Sequence, residues 1–229
     1  MKHLLHNRKL FNHTKKNLHE SLEQINSSSG RHYKTPAGKL YPSITTVVGL
    51  LSKDAIVAWR KRVGEEEANK ISRAATTRGT RIHQLCEDYL NNEEIDPKSY
   101  TFQDILNFET LQPHLDRIDN IHIQEVRMYS DYLKIAGTVD CIAEFDNKLS
   151  VIDFKTSTKI KDKKYITGYL CQAAGYAVMY EERTGIPIKQ IVIIISVDDE
   201  DPQIFIEDRD NYIGKLIEIR HLYEERYGV

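Results

Sequence analysis

Two short segments, Gly137-Thr138-Val139-Asp140 and Asp153-Phe154-Lys155-Thr156, bring two carboxylates and a lysine into a stretch that reads as a β-hairpin. Segments 133–145 and 148–156 are apolar and β-rich, and only Asp146 and Asn147 separate them. Both residue types tolerate the positive φ that a two-residue hairpin turn needs. With that turn Phe145 pairs with Lys148, and counting back along the strands sets Asp140 opposite Asp153. Lys155, two residues on, shares the face of Asp153. Directly opposed carboxylates have Cβ atoms about 5 Å apart and repel, so a fold that keeps the pair implies a cation between them. A hard divalent ion such as Mg2+ suits an oxygen-rich site and keeps several waters. The lysine beside it can stabilise an oxyanion or orient a water. This is the equipment for metal-assisted phosphodiester hydrolysis.

Two helical pairs could complete such a site. His83 and Glu87 stand four apart in 66–91, a long helical stretch with the apolar stripe Ile82, Leu85, Cys86 and Tyr89. The pair shares a face turned away from that stripe. Neutral histidine is a good ligand for a divalent metal, although a lone histidine at this spacing is more often a surface or capping residue. Gly79, one turn earlier on the same side, leaves room for a ligand or another backbone. Gln172 and Tyr176 are four apart on a helix expected over 165–184, with Gly168, Gly175 and Met179 on a similar side. Either both reach a scissile phosphate or an adjoining base, or Gln172 is exposed and Tyr176 is core.

The elements that must position these groups follow from periodicity and punctuation. A helix is expected over 14–26, ended by Ser27-Ser28-Ser29-Gly30, and 31–42 reads as a short hairpin or extended loop. Ser43 is a plausible N-cap for 44–51, with Lys53–Val63 as the next helix. Residues 101–118 read as a helix interrupted near Pro113. Strands are expected at 121–130, 133–145, 148–156, 188–197 and 203–207, with a closing helix at 209–226. The Ile/Val run at 188–197 is the pattern of a strand buried on both faces. The fold class is therefore α/β, a mixed sheet covered by helices. Residues 1–40 form a basic arm with a helix and hairpin, and 41–229 a main domain elaborated by helices at about 43–118.

Bulk composition excludes several classes. Of 229 residues 40% are hydrophobic, enough for a sizeable core, and Lys and Arg number 32 against 34 Asp and Glu, a net charge of −2. No global positive field draws this chain to a polyanion, so local patches would have to do so. Two runs qualify: 53–81, with Arg60, Arg62 and Arg78 among its cations, and 155–164, with five lysines. Either run could equally be a solvated face. Cys86, Cys141 and Cys171 lie in apolar patterns without a C-x-x-C and read as reduced core residues of an intracellular protein. No apolar run is long enough to span a membrane. The acid-free first nineteen residues read as a basic arm rather than an organelle transit segment, because Arg and Ser are scarce there.

Taken in order, Gly79-x-x-x-His83-x-x-x-Glu87, Gly137-x-x-Asp140, Asp153-Phe154-Lys155-Thr156 and Gln172-x-x-x-Tyr176 resemble the motifs of RecB-type nucleases of the PD-(D/E)XK superfamily. The resemblance extends in particular to the mitochondrial genome maintenance exonucleases and similar phage exonucleases. Their Pro-Ser-x-Thr segment is matched by Pro42-Ser43-Ile44-Thr45 and their Trp-x-x-Arg by Trp59-Arg60-Lys61-Arg62. It covers roughly residues 41–225 and implies a restriction-endonuclease-like core. Asp140, Asp153, the Phe154 carbonyl and His83 would hold Mg2+, or Mn2+ in its place. Lys155 would orient or activate the attacking water, Glu87 would support the site, and Gln172 and Tyr176 would position the substrate. Ser43, Thr45, Thr156 and Ser157 would donate to phosphates, with Trp59, Arg60, Arg62, Arg78 and Lys159 completing the DNA contacts. Some such nucleases hold an iron–sulfur cluster on four cysteines, three of them near the C-terminus. No cysteine follows Cys171, so no cluster is expected. The implied activity is a metal-dependent DNA exonuclease preferring single-stranded ends, acting as a cytoplasmic monomer in a bacterium or phage-infected cell rather than in a mitochondrion. A nicking or structure-specific endonuclease and a non-catalytic DNA-binding subunit are the alternatives.

Overall fold

The computed structural model describes residues 9–14, 18, 21–27 and 29–228. A small antiparallel sheet comes first, built from β1 (Glu23–Ser27), β2 (Gly30–Lys34) and β3 (Leu40–Pro42). Helices α1 (Ile44–Val48), α2 (Leu50–Val63), α3 (Glu65–Leu90) and α4 (Phe102–Leu115) follow. The central sheet has the spatial order β4 (Ile118–Ser130), β5 (Ile135–Phe145), β6 (Lys148–Ser157), β7 (Gln190–Val197), β8 (Gln203–Asp208). Helix α5 (Thr167–Thr184) joins β6 to β7, which run parallel, while the other neighbours run antiparallel. Helix α6 (Asp210–Tyr227) closes the chain.

Strand alternation sends side chains to two cores. On β7, Ile191, Ile193 and Ile195 join the layer of α1, α5 and α6, whereas Val192 and Ile194 join that of α3 and α4. The small sheet docks on the side of β4 and β5 through Leu22, Tyr33, Tyr41, Tyr129 and Ala136. The β5–β6 turn has Asp146 at φ 51° and Asn147 at φ 61°, both positive as a tight hairpin turn requires, and Phe145 pairs with Lys148. Cys86, Cys141 and Cys171 are free and buried. Among the described residues no helix is long and apolar enough to cross a membrane.

Three expectations need correction. Of the helix expected over 14–26, Glu23–Ser27 is strand β1, paired residue for residue with Gly30–Lys34. Cross-strand pairing overrides the helix propensity of Glu and Gln there. Residues 15–17, 19 and 20 lie outside the described residues. Helix α4 is not interrupted at Pro113, which sits in its last turn, where the chain loses one hydrogen bond just before the helix ends. Finally, Asp140 and Asp153 do not form a ladder pair, because the β5–β6 pairing stops at Cys141 and Ile152. Val139 and Ile142 face the α5 layer while Cys141 and Ala143 face the α3 layer, so β5 changes phase at Asp140.

Candidate active site

The phase change decides which groups meet. Asp140 turns toward α3, where its Oδ2 lies 3.6 Å from His83 Nδ1. The same oxygen accepts the Phe154 N–H at 2.8 Å, replacing the missing ladder bond. The Phe154 ring stands edge-on to His83, with centroids 6.3 Å apart. Across the other edge of β5, Gln124 pairs with Cys141 and Val126 with Val139. Glu125 between them has a left-handed backbone, φ 49°, and falls opposite Asp140. Ligand atoms of His83, Glu125 and Asp140 all lie within 4.8 Å of one another.

Glu125 was not anticipated. Counting from a two-residue turn between 130 and 133 would set Ile123 across from Asp140; the connection is longer, Ser130 pairs with Ile135, and that register brings Glu125 there instead. Loss of solvent around its carboxyl, then the charges of Asp140, Glu87 and Asp153, push its pKa up to about 8, with Lys155 opposing. Desolvation and the neighbouring Asp88 and Glu93 also raise Glu87.

Asp153 and Lys155 point the other way, toward α5. Asp153 is 1% exposed. It forms an ion pair with Lys155, and its Oδ1 accepts from Gln172 Nε2 at 3.2 Å. Burial pushes the Asp153 carboxyl up. Burial also works against the Lys155 ammonium, but Asp153 and Asp140 more than offset it and hold Lys155 above the ordinary lysine range. Lys155 is therefore a cation here, suited to stabilising negative charge. The Tyr169 ring, a second unanticipated group, stands 5.3 Å from its Nζ.

Gln172 and Tyr176 are 6% and 1% exposed, so Tyr176 is core, as one of the two alternatives had it, whereas Gln172 is buried rather than exposed. Gln172 Nε2 reaches Tyr176 Oη at 3.5 Å, and Tyr176 packs where a Cβ on Gly137 would come within 2.8 Å of its Oη. Their contacts hold Asp153 in place. No contact to an incoming substrate follows from this arrangement.

The donor set fits a divalent ion: one imidazole nitrogen and carboxylate oxygens in reach of each other, with more negative charge than Lys155 alone balances.

The profile of the PD-(D/E)XK nuclease superfamily matches residues 18–205, most of the chain and every group just described. The chain belongs to the PD-(D/E)XK nuclease superfamily. Three relatives are each named mitochondrial genome maintenance exonuclease 1. The Mus musculus protein is 29% identical over 107 residues, 45% of this chain and 32% of the relative. The Homo sapiens protein is 27% identical over 129 residues, 52% and 38%. The Xenopus tropicalis protein is 27% identical over 157 residues, 63% and 44%. The chain thus spans less than half the length of the curated relatives it matches.

The nuclease-fold residues expected to meet DNA are placed unevenly. Thr45, Arg62 and Lys159 are exposed, and Trp59 and Thr156 are half-buried. Ser43 is buried and shares its hydroxyl with Thr45 Oγ1 at 2.7 Å. The Ser157 hydroxyl is spent on Lys159, donating to its carbonyl at 2.6 Å. Arg60 pairs with Glu65 and donates to Asn69 Oδ1 at 2.6 Å. Arg78 pairs with Asp198 at 3.0 Å, and Asp198 also accepts from Asn107 at 2.9 Å. Ser43, Ser157 and Arg78 are thus occupied within the protein, because the same short polar reach that suits a phosphate also suits a neighbouring loop.

Proposed function

We propose that this chain is a divalent-metal-dependent deoxyribonuclease that degrades DNA from free single-stranded ends. The convergence of His83, Glu125 and Asp140 beside the Asp153–Lys155 pair carries this reading. His83, Glu125 and Asp140 would hold a Mg2+ or Mn2+ ion, with Asp153 and the Phe154 carbonyl the further ligands that the nuclease resemblance implies, and the ion would supply an activated water and offset charge on the phosphoryl oxygens. Lys155, kept cationic by its carboxylate neighbours, stabilises the charge that develops on the phosphate. Gln172 fixes Asp153, and Tyr176 fixes Gln172. Glu87 tunes the His83 side of the site.

End dependence is supported by α2 and the first half of α3. Helix α2 buries none of its residues, and the exposed cations Lys53, Lys61, Arg62, Lys70 and Arg73 lie along this hairpin. In a near-neutral chain, such a projecting basic hairpin running into His83 suits the capture and threading of a strand. The test compares linear, end-blocked and circular single-stranded DNA with Mg2+, Mn2+ or chelator. Degradation of the free-ended strand alone, abolished by chelator, is the expected result. Equal cutting of circles would replace the exonuclease with an endonuclease, and full activity in chelator would overturn the metal reading.

A further inference from the structure

We propose that the loop joining β6 to α5, residues 158–165, is a second nucleic-acid contact that takes one unpaired base and its flanking phosphates. Tyr165 is its stacking surface, and Lys159 and Lys161 are its phosphate contacts. The proposal rests on the nuclease reading above and deepens it by naming the strand form recognised.

The loop is fastened from several sides. The Gln203 side chain brackets Lys161, accepting its N–H at 2.7 Å and donating to its carbonyl at 2.9 Å. Ser157 Oγ accepts the Lys159 N–H at 3.2 Å and donates to its carbonyl. Asp162 Oδ1 accepts the Lys164 N–H at 3.0 Å, and Lys163 pairs with Glu207. Yet this fastened loop leaves Ile160 56% and Tyr165 71% exposed. The large tyrosines Tyr33, Tyr176, Tyr180 and Tyr223 are by contrast fully buried. Fixing an apolar ring in water gains the fold nothing, but it pre-orders a surface for a planar partner, so little freedom is lost when a base stacks on it.

Charge selects the partner. Of the four lysines at 159, 161, 163 and 164, Lys163 pairs with Glu207 and Lys164 with Asp162, which leaves Lys159 and Lys161 as the loop's surplus positive charge in a chain of net charge −2. The Lys164 Nζ, which pairs with Asp162 at 3.2 Å, also lies 4.9 Å from the Tyr165 ring. A polyanion with exposed planar faces, a single-stranded nucleic acid, fits both features. A duplex buries those faces in its own stack. The loop also borders the site at both ends. It leaves β6 just beyond Lys155, and Tyr165 precedes by one helical turn Tyr169, whose ring stands 5.3 Å from Lys155 Nζ.

The experiment measures binding of the full chain, in chelator, to a fluorescent single-stranded oligonucleotide and to its blunt duplex, alongside cleavage in Mg2+. Tyr165→Ala should weaken single-strand binding about tenfold, the scale of one lost base stack, and leave the duplex Kd unchanged. Tyr165→Phe should bind as the parent does. Lys159→Gln with Lys161→Gln should flatten the salt dependence by about 0.7 log units per lost phosphate contact. Unchanged single-strand affinity in Tyr165→Ala, or an equal loss on both substrates, overturns the loop proposal while the parent still cleaves. A parent chain that neither binds nor cleaves DNA removes the nuclease reading and this proposal with it.

Discussion

Gly79→Ala separates what the helix needs from what the substrate needs. Gly79 lies inside the 26-residue helix α3, one turn before His83. A glycine in a helix interior costs about 0.5–1 kcal/mol relative to alanine. A Cβ at Gly79 would meet only Thr156 Oγ1, at 3.8 Å, which is ordinary contact. The free protein therefore has no steric reason to prefer glycine, and the variant should be more stable by about 0.5–1 kcal/mol, a rise in Tm of roughly 1–4 °C for a domain of this size. The same methyl enters the gap between α3 and Thr156, the neighbour of Lys155. If the substrate backbone passes there, crowding of about 1–3 kcal/mol should lower kcat/KM about tenfold or more. Thermal melts and single-turnover cleavage of a labelled single strand, each across a Mg2+ titration, read the two effects separately. A variant that is more stable and fully active would refute the idea that a strand runs along this face. A variant that is less stable would refute the packing argument itself. Gly137→Ala is the contrasting control. Its Cβ would stand 2.8 Å from Tyr176 Oη and 3.0 Å from Ile44 Cγ2, so it should lose about 1–3 kcal/mol of stability with or without substrate.

Lys155→Ala should fold and take up metal yet turn over about a hundredfold more slowly or worse, the scale for one electrostatic donor; a near-normal rate in single-turnover assays would reduce Lys155 to a structural counter-ion of Asp153. Glu125→Gln and Asp140→Asn should each relieve carboxylate crowding, so that neither free protein melts below the parent, while the Mg2+-induced rise in Tm shrinks. An unchanged metal-dependent rise would remove the substituted residue from the metal site. Tyr169→Leu should slow turnover severalfold with unchanged oligonucleotide affinity, since a cation–π contact is worth about 0.5–2 kcal/mol, and Tyr169→Phe should recover the rate. A loss expressed in binding rather than turnover would assign Tyr169 to the substrate instead.

Much of the fold was legible because its signals are local. The Asp146-Asn147 turn, the Ile/Val run of β7, and the stripe of Ile82, Leu85, Cys86 and Tyr89 each specify an element from neighbouring residues alone, and the structure places them accordingly. What was not legible depends on pairing between distant segments. Residues 23–27 carry no strong strand pattern, and only their partner Gly30–Lys34 makes them a strand. Gln172 reads as an exposed helical polar residue until Asp153, nineteen positions away, is found beneath it. Tyr169 has no motif spacing of its own; its place at Lys155 comes from how α5 crosses from β6 to β7.

The phase change at Asp140 explains how these separate pieces can act together. In a regular strand alternate residues face opposite layers, so a group held by α3 and a group held by α5 stay on opposite sides of the sheet. His83 belongs to the first layer, Gln172 and Tyr169 to the second. Ending the β5–β6 ladder at Cys141 and Ile152 frees Asp140 to turn toward His83. The left-handed turn at Glu125 adds a second carboxylate at the same point of β4. Asp153 keeps the regular alternation of β6 and stays with Gln172 and Lys155. The break in pairing thus lets one cluster draw on both layers. A strand restored to regular pairing at Asp140 would gain a ladder bond and lose the approach of its carboxylate to His83.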